Sequence, residues 1–310
     1  MTGFKGQISA RLSIQEALEM FLDDRIASGL SSASVKAYES QIKALRYYID
    51  FNMGIDELTA FHVNSAVKQM LNHDLSRNSI QSYVRALRVF LRYCRENGIT
   101  NLDVKPFKGV ESVPETYTDE ELTKLLKKPD MKRCTFSEYR TWVMESLLVD
   151  NGIRASSLRN IQNQDVEEFA IRLRHTKNKR SQTIPVSPNM QKILKEYMRI
   201  RKGVSSDYLF PNQEGEQLTS AALRHLIARY NKKRGVKKTS IHAFRHTFAR
   251  MYLVECGGDA LKLQRLLGHS TLDMTKHYAR LFDQDLIHDF QDRSPLERFK
   301  KREHIKMPKK

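Results

Sequence analysis

Six residues in the C-terminal two thirds of the chain have the types and order that chemistry on a phosphodiester requires. Arg154 follows Asn151-Gly-Ile153, where Gly152 permits a sharp turn that aims it inward. Lys177 lies at the tip of a predicted hairpin. His242 and Arg245 are three residues apart, on one face of a predicted helix near its start. His269 follows Gly268, a natural helix terminator, and Tyr278 lies nine residues further on. Each has an ordinary reading on its own: Arg154 as a surface helix cap, Lys177 as a solvated lysine beside Lys179 and Arg180, the histidines as structural, Tyr278 as one of twelve tyrosines. Together they supply two guanidiniums, an amine, two imidazoles and a phenol, with no carboxylate cluster for a metal. That set suits metal-free transesterification. Two arginines can grip the oxygens on which charge builds. A phenol with pKa about 10 attacks once a base or a cationic neighbourhood activates it. A lysine can protonate the poor leaving oxygen, and histidines can orient phosphate or move protons. A covalent intermediate keeps the bond energy, in accord with the lack of a GxxxxGK[ST] motif.

These residues need a scaffold, and the patterning predicts a mainly α chain. Four helices are expected in the first hundred residues. Ser13-Ile-Gln-Glu16 is a capping box before Leu18, Phe21, Leu22 and Ile26. Ser32 or Ser34 caps the second helix, Thr59 the third and Ser76 the fourth, which Gly98 stops. The polar face of the fourth helix carries Arg77, Arg85, Arg88, Arg92 and Arg95, a solvated face or a set of phosphate contacts. Residues 99–115 lose the helical period and contain Pro106, Gly109 and Pro114, the best domain boundary. Beyond it come a capping box at Thr118–Glu121, a long apolar helix over 135–150, and two strands, Ala170–Arg174 and Gln182–Val186, joined by the basic turn Thr176–Arg180. From Ser187 the pattern is helical again. The expected architecture is a helical N-terminal domain, then a mixed α/β domain that is mostly helical with a small antiparallel sheet.

Composition sets outer limits. The 310 residues suggest two domains, and no apolar run reaches the ~20 residues that span a bilayer. No signal peptide precedes the first helix, and Cys94, Cys134 and Cys256 form no disulfide or zinc framework, so a reducing cytoplasm is expected. Net charge is +17, divided as +3 over residues 1–110 (14 basic, 11 acidic) and +14 over the rest (39 basic, 25 acidic). Such an excess favours a polyanionic partner, and part of it lies in the tail of residues 293–310.

In order and spacing, Asn151-Gly-Ile-Arg154-Ala-Ser-Ser-Leu158, the hairpin from Thr176 to Val186, His242-Ala-Phe-Arg245-His246-Thr247, Leu267-Gly-His-Ser270 and Thr275-Lys-His-Tyr278 resemble the boxes of the tyrosine recombinases, or phage integrase family. The resemblance implies a SAM-like core-binding domain over 1–110, a catalytic domain over 111–292 and a basic tail over 293–310. It implies that Tyr278 is the nucleophile of a 3′-phosphotyrosyl link, that Arg154 and Arg245 bind the scissile phosphate, and that Lys177 is the general acid. Lys177, eight residues before Pro185, fits better than Lys179. His242 would serve proton transfer and His269 would contact the phosphate. No cofactor or metal is implied. The implied partner is double-stranded DNA with paired inverted-repeat sites, each duplex enclosed by the two domains of a chain as a C-shaped clamp and two sites brought together by a homotetramer or a heterotetramer with a related recombinase, with no membrane, in a cytoplasmic, nucleoid-associated setting. The segment 281–290 would dock into a neighbouring protomer or pack at home. With only about a dozen residues before the first helix, the layout is Xer-like or mobile-element-like, for integration, excision or dimer resolution. One departure stands out: Ser157 occupies a position where the family usually has Glu or Asp. That change gives weight to a second function, a catalytically weak or regulatory DNA-binding relative, and the shared chemistry to a third, a type IB topoisomerase-like nicking-closing enzyme.

Overall fold

The structure is a computed structural model, described here for residues 12–110, 114–174 and 182–269. The chain divides between residues 112 and 113 into two compact units. In the first, four helices enclose one core: α1 (Ile14–Ala27), α2 (Ser32–Lys43), α3 (Ala60–Asn72) and α4 (Arg77–Glu96). The Ser13 hydroxyl accepts from the Glu16 amide, and the Glu16 carboxylate accepts from the Ser13 amide, closing the expected box. α2 is capped by Ser31 rather than by Ser32 or Ser34: the cluster of serines offers several hydroxyls, and the one at the helix boundary accepts from the third amide, that of Ser34. Phe21 anchors the core with its ring edge-on to Tyr38 and Phe90. Three α4 arginines strap the following segment down. Arg88 Nε donates to the Val104 carbonyl at 2.8 Å, Arg95 Nη1 to Leu102 at 2.7 Å, and Arg77 lies over the Phe107 ring.

The second unit is built round α6 (Phe136–Asn151), which is buried on nearly every side. Packed near it are α5 (Asp119–Leu126), α7 (Ala155–Asn160), α8 (Pro188–Arg201), α9 (Ser220–Lys233), α10 (Ile241–Arg250) and α11 (Ala260–Leu267). A single π-helical turn, Met251–Glu255, lies between α10 and α11. The strands β1 (Ala170–Leu173) and β2 (Gln182–Pro185) pair antiparallel with Ile171 opposite Ile184, both buried. The chain is thus mainly helical, with one two-stranded antiparallel sheet among the described residues. Tyr117 pins α10 from behind. Its amide donates to Thr247 Oγ1 at 2.8 Å, its ring stacks on Phe244 at 4.2 Å, and its hydroxyl donates to the Ser240 carbonyl. No helix among the described residues is long and apolar enough to cross a membrane.

Candidate active site

Two helix C-termini create the site. α6 ends at Gly152, whose φ of 62° few side chains tolerate, and a Cβ there would come within 2.6 Å of the Phe248 ring. α11 ends the same way at Gly268, with φ 60°. The last carbonyls of a helix have no partner within it and carry the negative end of its dipole. Here they hold guanidiniums. Arg245 Nη1 donates to the Gly152 carbonyl at 3.0 Å and Nη2 to Leu267 at 2.7 Å, while Arg154 Nη2 donates to Gly268 at 2.7 Å. Burying Arg245 to 4% exposure costs solvation, which these charge-assisted bonds offset. The remaining carbonyls of α11 are also satisfied. Gln182 Nε2 donates to Arg265 and Leu266, both at 2.9 Å, and the His269 amide donates to Gln264.

The two histidines join this cluster. The buried His269 imidazole has its pKa lowered to about 4, first by loss of water, then by Arg245, Arg154 and His242. His242 has an exposed surface, yet its pKa is also lowered, by desolvation of the ring first and then by Arg245 and Arg154. Both rings are therefore biased towards the neutral form, able to accept a proton or donate one hydrogen bond. Arg154, His242 and Arg245 line a cleft of about 1040 Å³. The structure thus brings together four of the six residues singled out by sequence: Arg154, His242, Arg245 and His269. Lys177 and Tyr278 lie outside the described residues. The same cleft is lined by a face of α9 that sequence reasoning passed over: Ser220, Ala221, Arg224, His225 and Ala228. Their helical spacing, polar and small where a core stripe would be apolar, was the signal available.

The model of the phage integrase family matches residues 115–285, more than half of the chain. The chain belongs to the phage integrase family. It is also 27% identical over 289 residues to the tyrosine recombinase XerC of Thermodesulfovibrio yellowstonii (strain ATCC 51303 / DSM 11347 / YP87), covering 88% of this chain and 93% of that protein. Its fold is similar to that of the XerH site-specific recombinase bound to a palindromic difH substrate (TM-score 0.71, 21% identity, 92% of this chain and 85% of that one). It is similar also to a lambda integrase tetramer bound to a Holliday junction (TM-score 0.71, 18% identity, 87% and 78%). As a tyrosine recombinase of the phage integrase family, the chain is an enzyme of DNA strand transesterification, and the regulatory and topoisomerase readings are not favoured.

Against the pattern of the phage integrase family, Ser157 is the departure, and it is buried in α7. The orienting contacts described for Arg154 and Arg245 run to main-chain carbonyls, which no side-chain change at position 157 removes. Tyr252 is half-buried and packs on Phe248 at 5.8 Å, a core contact. Of the α4 arginines, Arg77 and Arg88 hold the chain that follows α4, whereas Arg85 and Arg92 are exposed.

Proposed function

We propose that the chain is a site-specific recombinase that cuts and rejoins duplex DNA through a 3′-phosphotyrosyl intermediate at Tyr278. The observation that carries this is the joint suspension of Arg154 and Arg245 from the ends of α6 and α11, beside His242 and His269, along one cleft. Two fixed forks there would meet the non-bridging oxygens of one phosphodiester and stabilise the charge that builds during attack. In the forward step the Tyr278 oxygen bonds to phosphorus, and its proton passes to a base such as neutral His242. The P–O bond to the 5′ oxygen breaks, and that oxygen takes a proton from Lys177. Attack by a 5′ hydroxyl on the phosphotyrosine reverses each transfer and reseals a strand, so no external energy source is required. His269 donates a hydrogen bond to the phosphate. Residues 1–110 act as the core-binding domain, with Arg77, Arg85, Arg88 and Arg92 near DNA, residues 111–292 as the catalytic domain, and 293–310 as a basic tail. Four protomers, identical or shared with a related recombinase, pair two inverted-repeat sites, to move an element or resolve dimers, and the protein resides with the DNA it acts on. The XerH complex with palindromic DNA and the lambda integrase tetramer on a junction support this reading by analogy of fold.

The test is a nicked suicide duplex bearing a candidate site. The wild type is expected to leave a covalent protein–DNA adduct, and Tyr278→Phe none. A wild type that binds the site with high affinity yet forms no adduct would overturn the reading.

A further inference from the structure

A second cleft, of about 470 Å³, lies beside the active-site cleft, and His225 on α9 borders both. Its walls carry two guanidiniums, Arg140 from α6 and Arg229 from α9, and the Ser137 hydroxyl. Arg140 is 5% exposed. Its Nη1 donates to the Pro211 carbonyl, its guanidinium lies over the Phe136 ring, and among the described residues its buried Nε has no partner and its Nη2 no hydrogen bond. Arg229 is exposed and reaches the Ser137 hydroxyl at 3.4 Å. Neither guanidinium forms an ion pair among the described residues, and the carboxylate on the rim, Glu214, is bound to neither. Burial works against the charge on Arg140, Tyr197 compensates in part, and neighbouring Arg229 adds a smaller opposing contribution. Two like charges held together in this way are incomplete without an anion.

We infer that this second cleft binds a backbone phosphate of the duplex, at a distance from the one being cut. The inference rests on the proposed function for the DNA itself. Continuity argues for DNA as the source of the anion. A strand whose phosphate sits on Arg154 and Arg245 brings further phosphates at regular intervals, and the adjoining cleft meets them with a planar fork and a hydroxyl. A contact of this kind sets position and affinity without reading sequence.

The probe is therefore a random-sequence duplex of roughly thirty base pairs, titrated with the full chain over a range of potassium chloride concentrations. In Arg229→Gln the slope of log affinity against log salt should become shallower by about 1, with binding at low salt weakened roughly three- to tenfold, and Arg229→Lys should restore the slope. Arg140→Gln should act in the same direction. Because Arg140 is buried, its melting transition is checked, and Arg229 on the surface keeps the test independent of folding. Inorganic phosphate is titrated in parallel. If phosphate binds and Arg229→Gln abolishes that binding while the DNA slope stays fixed, the occupant is a free anion and the inference falls. A fixed slope with altered self-association points to a protein carboxylate and overturns it too. Wild-type adduct formation on the suicide duplex is measured alongside: its absence counts against the recombinase reading, whereas a fixed slope in a cleaving enzyme counts against this site alone.

Discussion

Loss of water around the ring, and then the guanidiniums of Arg245 and Arg154, hold the His269 pKa down at about 4. At neutral pH it is therefore an uncharged donor, and a bound phosphate reverses the balance by adding negative charge. Proton NMR of the free protein should show this ring titrating around pH 4, well below the ordinary 6.5, with the midpoint moving up when duplex is added. A free-state midpoint close to 6.5 would remove the cationic pocket from the account. Linkage has a definite sign here. Between the folded and unfolded values the unfolded chain holds the extra proton, so the contribution of His269 to stability falls as pH drops from 6.5 towards 4. Gln182 is the other residue to test singly. Its amide fills two carbonyls of α11 next to those that hold the arginines. Gln182→Met keeps the length, adds no charge and loses the donor, so two bonds of ~1 kcal/mol each are forfeited. Single-turnover cleavage at saturating DNA should fall on the order of tenfold or more, with DNA affinity little changed. Equal cleavage rates in the two proteins would show that α11 holds its end without help.

Helix ends, rather than helix faces, organise the reaction centre, so the glycines that terminate them are the elements' sensitive points. Gly152→Ala forces a left-handed residue, at ~1 kcal/mol, and drives a methyl into Phe248. Gly235→Ala is the control in the same unit: its φ is 72°, but a Cβ there meets nothing within 4 Å. Thermal melts should show a distinctly larger loss for Gly152→Ala, and cleavage should drop at least tenfold in that variant alone, since the Gly152 carbonyl carries Arg245. Matching losses in both would mean that the turn, and not the close packing, sets the requirement. Local signals made much of this scaffold readable in advance. The boxes at Ser13 and Thr118 and the strands around Ile171 and Ile184 depend on residues within a few positions of one another. The bonds that matter to the site span far longer intervals: Arg154 to Gly268, Gln182 to Leu266, Arg140 to Pro211. Side-chain type and order pointed to Arg154 and Arg245, but no periodicity could reveal that carbonyls hold them, and nothing near Gln182 or Arg140 in sequence marks either one.

The molecule as a whole carries +17, most of it beyond residue 110, and so acid should weaken the second unit by adding positive charge to what is already repelling. Glu145 acts in the opposite direction. It sits at 0% exposure in the middle of α6, both carboxylate oxygens lack a hydrogen-bond partner, and burial pushes its pKa well above 4.5 while Arg234 only partly restores it. The folded protein therefore keeps this proton at pH values where the unfolded chain has released it. Over that window the unfolded state binds fewer protons, so stability declines as pH rises above about 4.5, by up to ~1.4 kcal/mol for each unit of elevation. Glu145→Gln has the shape of the protonated acid and no ionisation. Denaturant unfolding, followed on the transition of the second unit, should find the variant more stable than wild type by at least ~1 kcal/mol at pH 7.5. The two proteins should converge near pH 4.5, where the glutamate is protonated in both states for much of the time. A constant gap across that range would assign the difference to packing instead, and a variant less stable at every pH would mean that the acid proton makes a bond which an amide cannot replace.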